Sequence, residues 1–338
     1  FICEPMSRDF PPIDPGPRGR IIGYEMADLA AAVACLQAGD LVGLPTETVY
    51  GLAADATNGE AVAGVYEAKG RPSFNPLICH VANLAEAQRY GLFNADALRL
   101  AEAFWPGPMT LIVPFRPDSG VSDLARAGLD SIALRVPSHP VARALIAAMG
   151  RPLAAPSANL SGRISPTSAA DVARDLGEKV ACIIDGGTCD IGLESTIVSC
   201  LGNQPAMLRP GGVARESLEA ALGATLPTAT TDLVLRSPGL LQSHYAPVAP
   251  VRINVTDFRP SDAILAFGNI EKPRFVDDRL FLNLSPDSNL RQAASRLFTA
   301  LRVLDARQPA AIAVAPIPTT GLGEAINDRL VRASAPRN

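Results

Sequence analysis

Several polar clusters in this chain have the residue types and spacings that chemistry on an anionic substrate would use. Lys69-Gly70-Arg71-Pro72-Ser73-Phe74-Asn75-Pro76 runs directly into the apolar Leu77-Ile78-Cys79 and then His80. A proline-braced loop entering a buried strand can hold a guanidinium fork and an amide rigidly against phosphate oxygens, the task for which Arg71 and Asn75 are suited. The plainer reading is a helix end that places two cations on its negative pole, followed by a solvated turn. Pro156-Ser157-Ala158-Asn159-Leu160-Ser161-Gly162, with Ser165 beyond it, follows a strand signal, and its serines and asparagine would also serve as caps. Asp185-Gly186-Gly187, Glu194-Ser195-Thr196 and Arg209-Pro210-Gly211-Gly212 form a third group, the last of them a turn when taken alone. Clusters beside strand ends suit a ligand held at the edge of an α/β sheet. His244-Tyr245-Ala246-Pro247 differs in kind: in a Pro-rich stretch with no core to serve, it reads as a lid reaching over a site elsewhere.

The elements that must position these groups follow from apolar periodicity. Helical spacing covers Glu25 to Gln37, Gly59 to Lys69, Leu84 to Tyr90, Pro140 to Met149 and Asp171 to Leu176. Short apolar runs predict strands at 41–44, 76–81, 110–114, 132–136, 152–155, 180–185 and 195–200. The alternation predicts an α/β domain with a mixed sheet over residues 21–222, preceded by a flexible segment, 1–20. Residues 223–250, with Pro227, Pro238-Gly239, Pro247 and Pro250, read as an extended linker. A smaller α/β domain is expected over 251–338, with strands at 263–267 and 311–315, a strong helix from Leu290 to Asp305 and a last helix through Arg332.

Common signatures are absent: there is no GxxxxGK[ST] phosphate loop, HExxH, GxSxG or strand-borne GxGxxG, and Gly321-Leu322-Gly323-Glu324-Ala325-Ile326 fails at its third glycine. Thirty basic against 34 acidic residues, a formal charge of -4, remove the basic footprint of strong direct nucleic-acid binding. No uncharged apolar stretch approaches the roughly 18 residues of a membrane span. Six cysteines form no CxxC pair and stand at no metal-ligand spacing from His80, His139 or His244, so no metal ligands are assigned and the thiols read as reduced, structural groups. The N-terminus lacks the apolar core of a signal peptide, and a cytoplasmic location is expected. The sequence opens without Met, with Met6 a candidate start. Only Lys69, Lys179 and Lys272 among the 30 basic residues are lysines, which gives Lys69 weight as a point charge that arginine does not replace.

Taken together, these blocks resemble the threonylcarbamoyl-AMP synthase family, built on a YrdC-like catalytic domain, in its long two-domain form. The resemblance rests on Pro45-Thr46-Glu47-Thr48-Val49-Tyr50-Gly51-Leu52, the Lys69-to-His80 block, Trp105-Pro106-Gly107-Pro108-Met109-Thr110, Gly128-Leu129-Asp130 through Arg135, and Ala155-Pro156-Ser157-Ala158-Asn159. It continues through Asp185-Gly186-Gly187, Glu194-Ser195-Thr196, Leu208 to Gly211, Ser237-Pro238-Gly239, His244-Tyr245-Ala246-Pro247 and Gly321 to Leu330, about residues 22 to 334. The family usually has basic and aromatic residues just before the His-Tyr pair, where this chain has Leu240-Leu241-Gln242-Ser243.

The resemblance implies a YrdC-like twisted mixed sheet with flanking helices and a smaller Rossmann-like C-terminal domain. It implies condensation of L-threonine, bicarbonate and ATP to threonylcarbamoyl-adenylate and pyrophosphate, a nucleotidyltransferase reaction that serves threonylcarbamoyladenosine formation on tRNA. Lys69, Arg71, Ser157 and Asn159 would be its catalytic tetrad. Arg71, Asn75, Ser131, Ser157, Ser165, Arg209, His244 and Tyr245 would contact ATP, while Thr46, His80, Arg135 and Ser195 would hold threonine. Mg2+ would accompany the nucleotide, held largely by ATP and water, and downstream tRNA threonylcarbamoyl-transferase proteins would receive the product. The competing readings are a non-enzymatic RNA-binding module of the same fold and a carbamoyl-transfer domain of the hydrogenase-maturation type. The charge balance opposes the first, and the missing acylphosphatase and zinc-finger segments oppose the second.

Overall fold

The computed structural model describes residues 19–229 and 244–336. The expected flexible N-terminal segment up to residue 18, Ser237-Pro238-Gly239 and Leu240–Ser243 lie outside these residues.

Two sheets organise the chain. The larger contains β1 (Ile21–Ile22), β2 (Val42–Leu44), β3 (Gly51–Asp55), β4 (Ile78–His80), β5 (Met109–Pro114), β6 (Ser131–Arg135), β7 (Leu153–Ala154), β8 (Cys182–Ile184), β9 (Thr196–Ser199) and β10 (Ala206–Arg209). Its order is β1-β8-β2-β3-β7-β4-β6-β5-β9-β10, with parallel and antiparallel pairs mixed. The smaller contains β11 (Val251–Arg252), β12 (Asp262–Ala266), β13 (Phe281–Asn283) and β14 (Ala311–Val314), all parallel in the order β11-β14-β12-β13. The expected fold class, a mixed α/β sheet with a second, smaller parallel unit, is the one found.

The helices flanking the larger sheet are α1 (Met26–Gln37), α2 (Gly59–Lys69), α3 (Leu84–Tyr90), α4 (Ala95–Phe104), α5 (Pro140–Met149), α6 (Ala169–Leu176) and α7 (Arg215–Leu222). Those of the second unit are α8 (Leu290–Asp305) and α9 (Leu322–Ser334). Local chemistry sets their ends. Asn58 caps α2 by accepting from Glu60 and Ala61, and Gly70 closes it in the left-handed region at φ +59°. Proline opens α5 at its first position and Gly150 ends it.

The two faces of β4 and β6 decide where a site can form. Ile78 pairs with Ala133 and His80 with Arg135, so the two-residue period sets Ile78, His80, Ser131, Ala133 and Arg135 on one face. Cys79, Ile132 and Leu134 point the other way, into the main core. On the first face Ile78, Ile112, Ala133, Ile197 and Leu208 form a separate apolar floor.

A second finding corrects the picture of two separate cores. The core of the C-terminal unit takes in Val49, Ile164 and Leu193 from the larger domain, and Tyr245 from the strap. The His-Tyr pair therefore does have a core to serve.

Candidate active site

A cleft of about 490 Å³, open solvent at its mouth included, runs over the face of β4 and β6 that carries Ile78, His80 and Arg135. Of the expected site residues, Arg71, His80, Arg135, Ser157, Ser195, Arg209, His244 and Tyr245 line it. Thr48, Val49 and Glu194, to which sequence reasoning gave no role, line it as well.

At one end stand the cations. The helix end and the exposed turn through Ser73 and Phe74 both form, but Lys69, the last residue of α2, is itself only 3% exposed. Its ammonium donates to the carbonyls of Ser157 and, at 2.6 Å, Asn159. Burial, reinforced by the Arg71 charge, holds the amine well below the usual lysine range. The two halves of the expected tetrad thus meet through the backbone of the Ser157–Asn159 loop. Arg71 folds back on its own loop, donating to the carbonyls of Asn75 (3.3 Å) and Pro76 (3.0 Å), and burial lowers its pKa to about 10. Arg209, at the end of β10, donates to the Ser195 carbonyl at 2.9 Å. Asn75 and Asn159 are buried with side-chain oxygens lacking a partner, and neither lines the cleft directly. Ser131 lies at the opposite end of β6 from Arg135, on the same face and near the start of β4.

At the other end lies a polar nest. Arg135 forms a buried ion pair with Glu47 at 2.7 Å and donates to Thr48 Oγ1 (2.8 Å) and the Gly107 carbonyl (3.3 Å). Burial would raise the Glu47 carboxyl, yet the Arg135 charge beside it leaves it below the ordinary value. A free guanidinium waiting for a carboxylate is therefore not what the structure holds, because Glu47 already engages this one. Thr46 turns its hydroxyl inward to Thr48 Oγ1 (2.8 Å) and the Val49 carbonyl (2.7 Å), leaving Thr48 at the cleft wall. Ser195 shares a 2.7 Å hydrogen bond with Thr110. Burial, with Arg135 nearby, pushes the His80 imidazole down to about 3, so the ring is neutral.

The strap lines the same cleft. His244 and Tyr245 are buried, and their rings meet edge to face at 4.1 Å. Burial and the charges of Lys69, Arg71, Arg209 and Arg329 hold the His244 imidazole well below its usual range. Tyr245, at φ +62°, stacks on Phe298 of α8 at 5.5 Å with Arg329 of α9 over its ring at 5.2 Å. Arg329 also reaches Glu194 at 2.7 Å, whose other oxygen accepts from Ser165 at 2.5 Å. Ser165 is thereby committed to a carboxylate. Glu47, Glu194 and Arg329 all stand in blocks that carry the resemblance, but nothing local marks which arginine meets which carboxylate.

Among the described residues no cluster of three or more His, Cys, Asp or Glu side chains suits a metal ion. Both cleft carboxylates are taken, Glu47 by Arg135 and Glu194 by Arg329 and Ser165. The described residues do not form a resident cation site. Cys35, Cys79, Cys182, Cys189 and Cys200 are free thiols, and no described helix is long and apolar enough to cross a membrane.

Comparison with known proteins agrees with this architecture. Residues 34–211 match the Sua5_yciO_yrdC family model, described as "Telomere recombination", and residues 213–335 match "Threonylcarbamoyl-AMP synthase, C-terminal domain". The threonylcarbamoyl-AMP synthase of Bacillus subtilis (strain 168) is 40% identical over 324 residues, covering 91% of this chain and 93% of its own. That of Pyrococcus abyssi (strain GE5 / Orsay) is 37% identical over 329 residues, 90% of this chain and 94% of its own. The crystal structure of P. abyssi Sua5 complexed with L-threonine matches with a TM-score of 0.83 at 36% identity, covering 93% of this chain and 97% of that one. With both domain models in sequence and full-length relatives at this level of identity, the chain belongs to the threonylcarbamoyl-AMP synthase family.

Proposed function

We propose that the protein is a nucleotidyltransferase that condenses L-threonine, bicarbonate and ATP to threonylcarbamoyl-adenylate and pyrophosphate. The observation that carries this reading is the two-ended cleft. Half-buried Arg71 and buried Arg209 line one end, with buried Lys69 set behind the Ser157–Asn159 loop, and Arg135 sits among hydroxyls at the other.

The chemistry needs little beyond position and charge. The threonine nitrogen bonds to the carbon of bicarbonate, water leaves, and the product is a carbamate. A carbamate oxygen then attacks the α-phosphorus in line while the bond to the β-phosphate oxygen breaks and pyrophosphate departs. Arg71 and Arg209 offset the charge on the phosphates, while Asn75, Ser131 and Ser165, set behind the cleft lining, reach the nucleotide only once their side chains rearrange on binding. Lys69 fixes the Ser157–Asn159 loop that faces them. Thr46, His80, Arg135 and Ser195 form the threonine end, where Thr48 presents the hydroxyl that Arg135 orients. A neutral His80 accepts or donates a hydrogen bond there without adding charge. Magnesium would accompany the ATP phosphates, since the cleft carboxylates are engaged elsewhere. The His244–Tyr245 strap limits water at a reactive mixed anhydride.

In this reading residues 21–222 form the catalytic domain, 223–250 the strap and 251–338 the C-terminal domain. The product passes, in the cytoplasm, to proteins that attach it to tRNA as threonylcarbamoyladenosine. The test is pyrophosphate release from ATP that depends on both threonine and bicarbonate. Arg71→Ala is expected to abolish release while threonine still binds. Undiminished turnover in that variant removes Arg71 from the nucleotide end, and wild-type protein that releases no pyrophosphate under these conditions overturns the reading.

A further inference from the structure

Arg329 joins the C-terminal domain to the cleft by charge, beside the stacking of Phe298 on Tyr245. It is the largest fully buried side chain of the described residues, 0% exposed. It lies on α9, yet its Nε donates to Glu194 Oε2 at 2.7 Å and its guanidinium carbon lies 5.2 Å from the centre of the Tyr245 ring. Glu194 and Tyr245 both line the cleft. Among the described residues three other ion pairs bridge the domains, Arg302 with Asp171, Arg302 with Asp175 and Arg215 with Glu324, and none of those residues lines the cleft. Among the described residues, Arg329 is thus the interdomain cation that acts on the site itself.

Resting on the reading of the cleft as a nucleotide and threonine site, we propose that Arg329 is a positioning residue with two tasks. It neutralises Glu194 so that the cleft accepts a polyphosphate, and it seats Tyr245 of the strap over the bound substrates. The first task follows from charge. A buried carboxylate among Lys69, Arg71 and Arg209 would otherwise compete with the phosphates for those cations, and removing one partner of a buried pair leaves an uncompensated charge. The second follows from the ring contact, since a guanidinium against a desolvated aromatic face is attractive. A further observation fits: Arg329 Nη2, Tyr245 Oη and His244 Nδ1 are all buried without a hydrogen-bond partner. Polar atoms left open at one place are groups a ligand can satisfy.

The experiment uses the full chain and measures equilibrium ATP binding, threonine binding and turnover separately. Arg329→Met is expected to weaken ATP binding about tenfold or more while threonine affinity stays within about twofold. Adding Glu194→Gln to Arg329→Met is expected to recover ATP affinity, because the lone carboxylate is gone, while kcat stays low because Tyr245 has lost its cation. Arg215→Met, which breaks an interdomain pair away from the cleft, leaves ATP binding unchanged. If Arg329→Met does not fold, Arg329→Lys carries the test: it keeps the charge and is expected to retain ATP affinity with reduced kcat. ATP affinity unchanged in Arg329→Met, no recovery in the double variant, or wild-type kcat in Arg329→Lys overturns the proposal. A wild-type protein that binds ATP yet makes no pyrophosphate counts against the reaction and leaves the charge task of Arg329 to be read from ATP binding.

Discussion

Burial determines the character of the individual residues in this cleft. Lys69 is one of only three lysines in the chain, and its ammonium spends two donors on backbone carbonyls that a bulkier guanidinium would have to displace. Where Lys69 is a buried cation with partners, His80 is a buried base kept neutral. Its folded-state pKa of about 3 lies far below the ordinary 6.5. The unfolded chain therefore binds the proton more readily than the native one. That contribution to stability is present in full above pH 6.5 and is lost progressively as pH falls from 6.5 toward 3. Thermal melts across that range are expected to show the wild-type midpoint falling with acidification, and falling less steeply in His80→Asn. Parallel pH curves for the two proteins would show that His80 is not held neutral in the native state.

Element by element, the parts legible in the sequence were those with strong periodicity or punctuation. Leu84–Tyr90, Pro140–Met149 and Leu290–Asp305 form helices with the bounds their apolar spacing and caps predict. The strand Gly51–Asp55 escaped because Gly-Leu-Ala-Ala-Asp has no β-branched residue and is buried throughout, so neither propensity nor alternation marks it. Ala95–Phe104, Ala206–Arg209 and Arg215–Leu222 were missed as well, and so were the short edge strands of the second sheet. Which residues gather at the cleft was legible mainly through the family resemblance, and their pairing was not: Glu194 and Arg329 stand 135 positions apart. One apparent turn proved to be a packing device. A Cβ on Gly211 would sit 2.4 Å from the Glu194 carbonyl and from the Ser195–Thr196 peptide, so the loop after β10 can lie against β9 only as glycine. Gly211→Ala must push this backbone away, carrying Glu194 and Ser195 with it. The expected result is a loss of about 1–3 kcal/mol in urea unfolding, as for other overpacked sites, together with weaker threonine binding. Wild-type stability and threonine affinity in that variant would mean the two loops separate freely.

The whole molecule behaves as one unit although it carries two sheets. The second core reaches into the larger domain through Val49, Ile164 and Leu193, and Thr167 meets Thr299 across the junction at 3.0 Å. At the centre of this junction Arg302 of α8 donates to both oxygens of Asp175, at 3.0 and 2.6 Å, and to the Ile164 carbonyl at 2.5 Å. It also lies 3.8 Å from Asp171, and all three charged side chains are largely buried. Breaking such a pair from one side costs about 3–5 kcal/mol, because the carboxylates left behind are desolvated and unpaired. The native protein is therefore expected to unfold in calorimetry as one cooperative transition. Arg302→Met is expected to lower the unfolding temperature and to separate the transition in two, the smaller unit melting first. Because a domain that melts early carries Arg329 and Phe298 away from Tyr245, pyrophosphate release should be lost at that first transition, while the larger sheet is still folded. Activity surviving to the second transition would mean that the C-terminal domain is dispensable for the site.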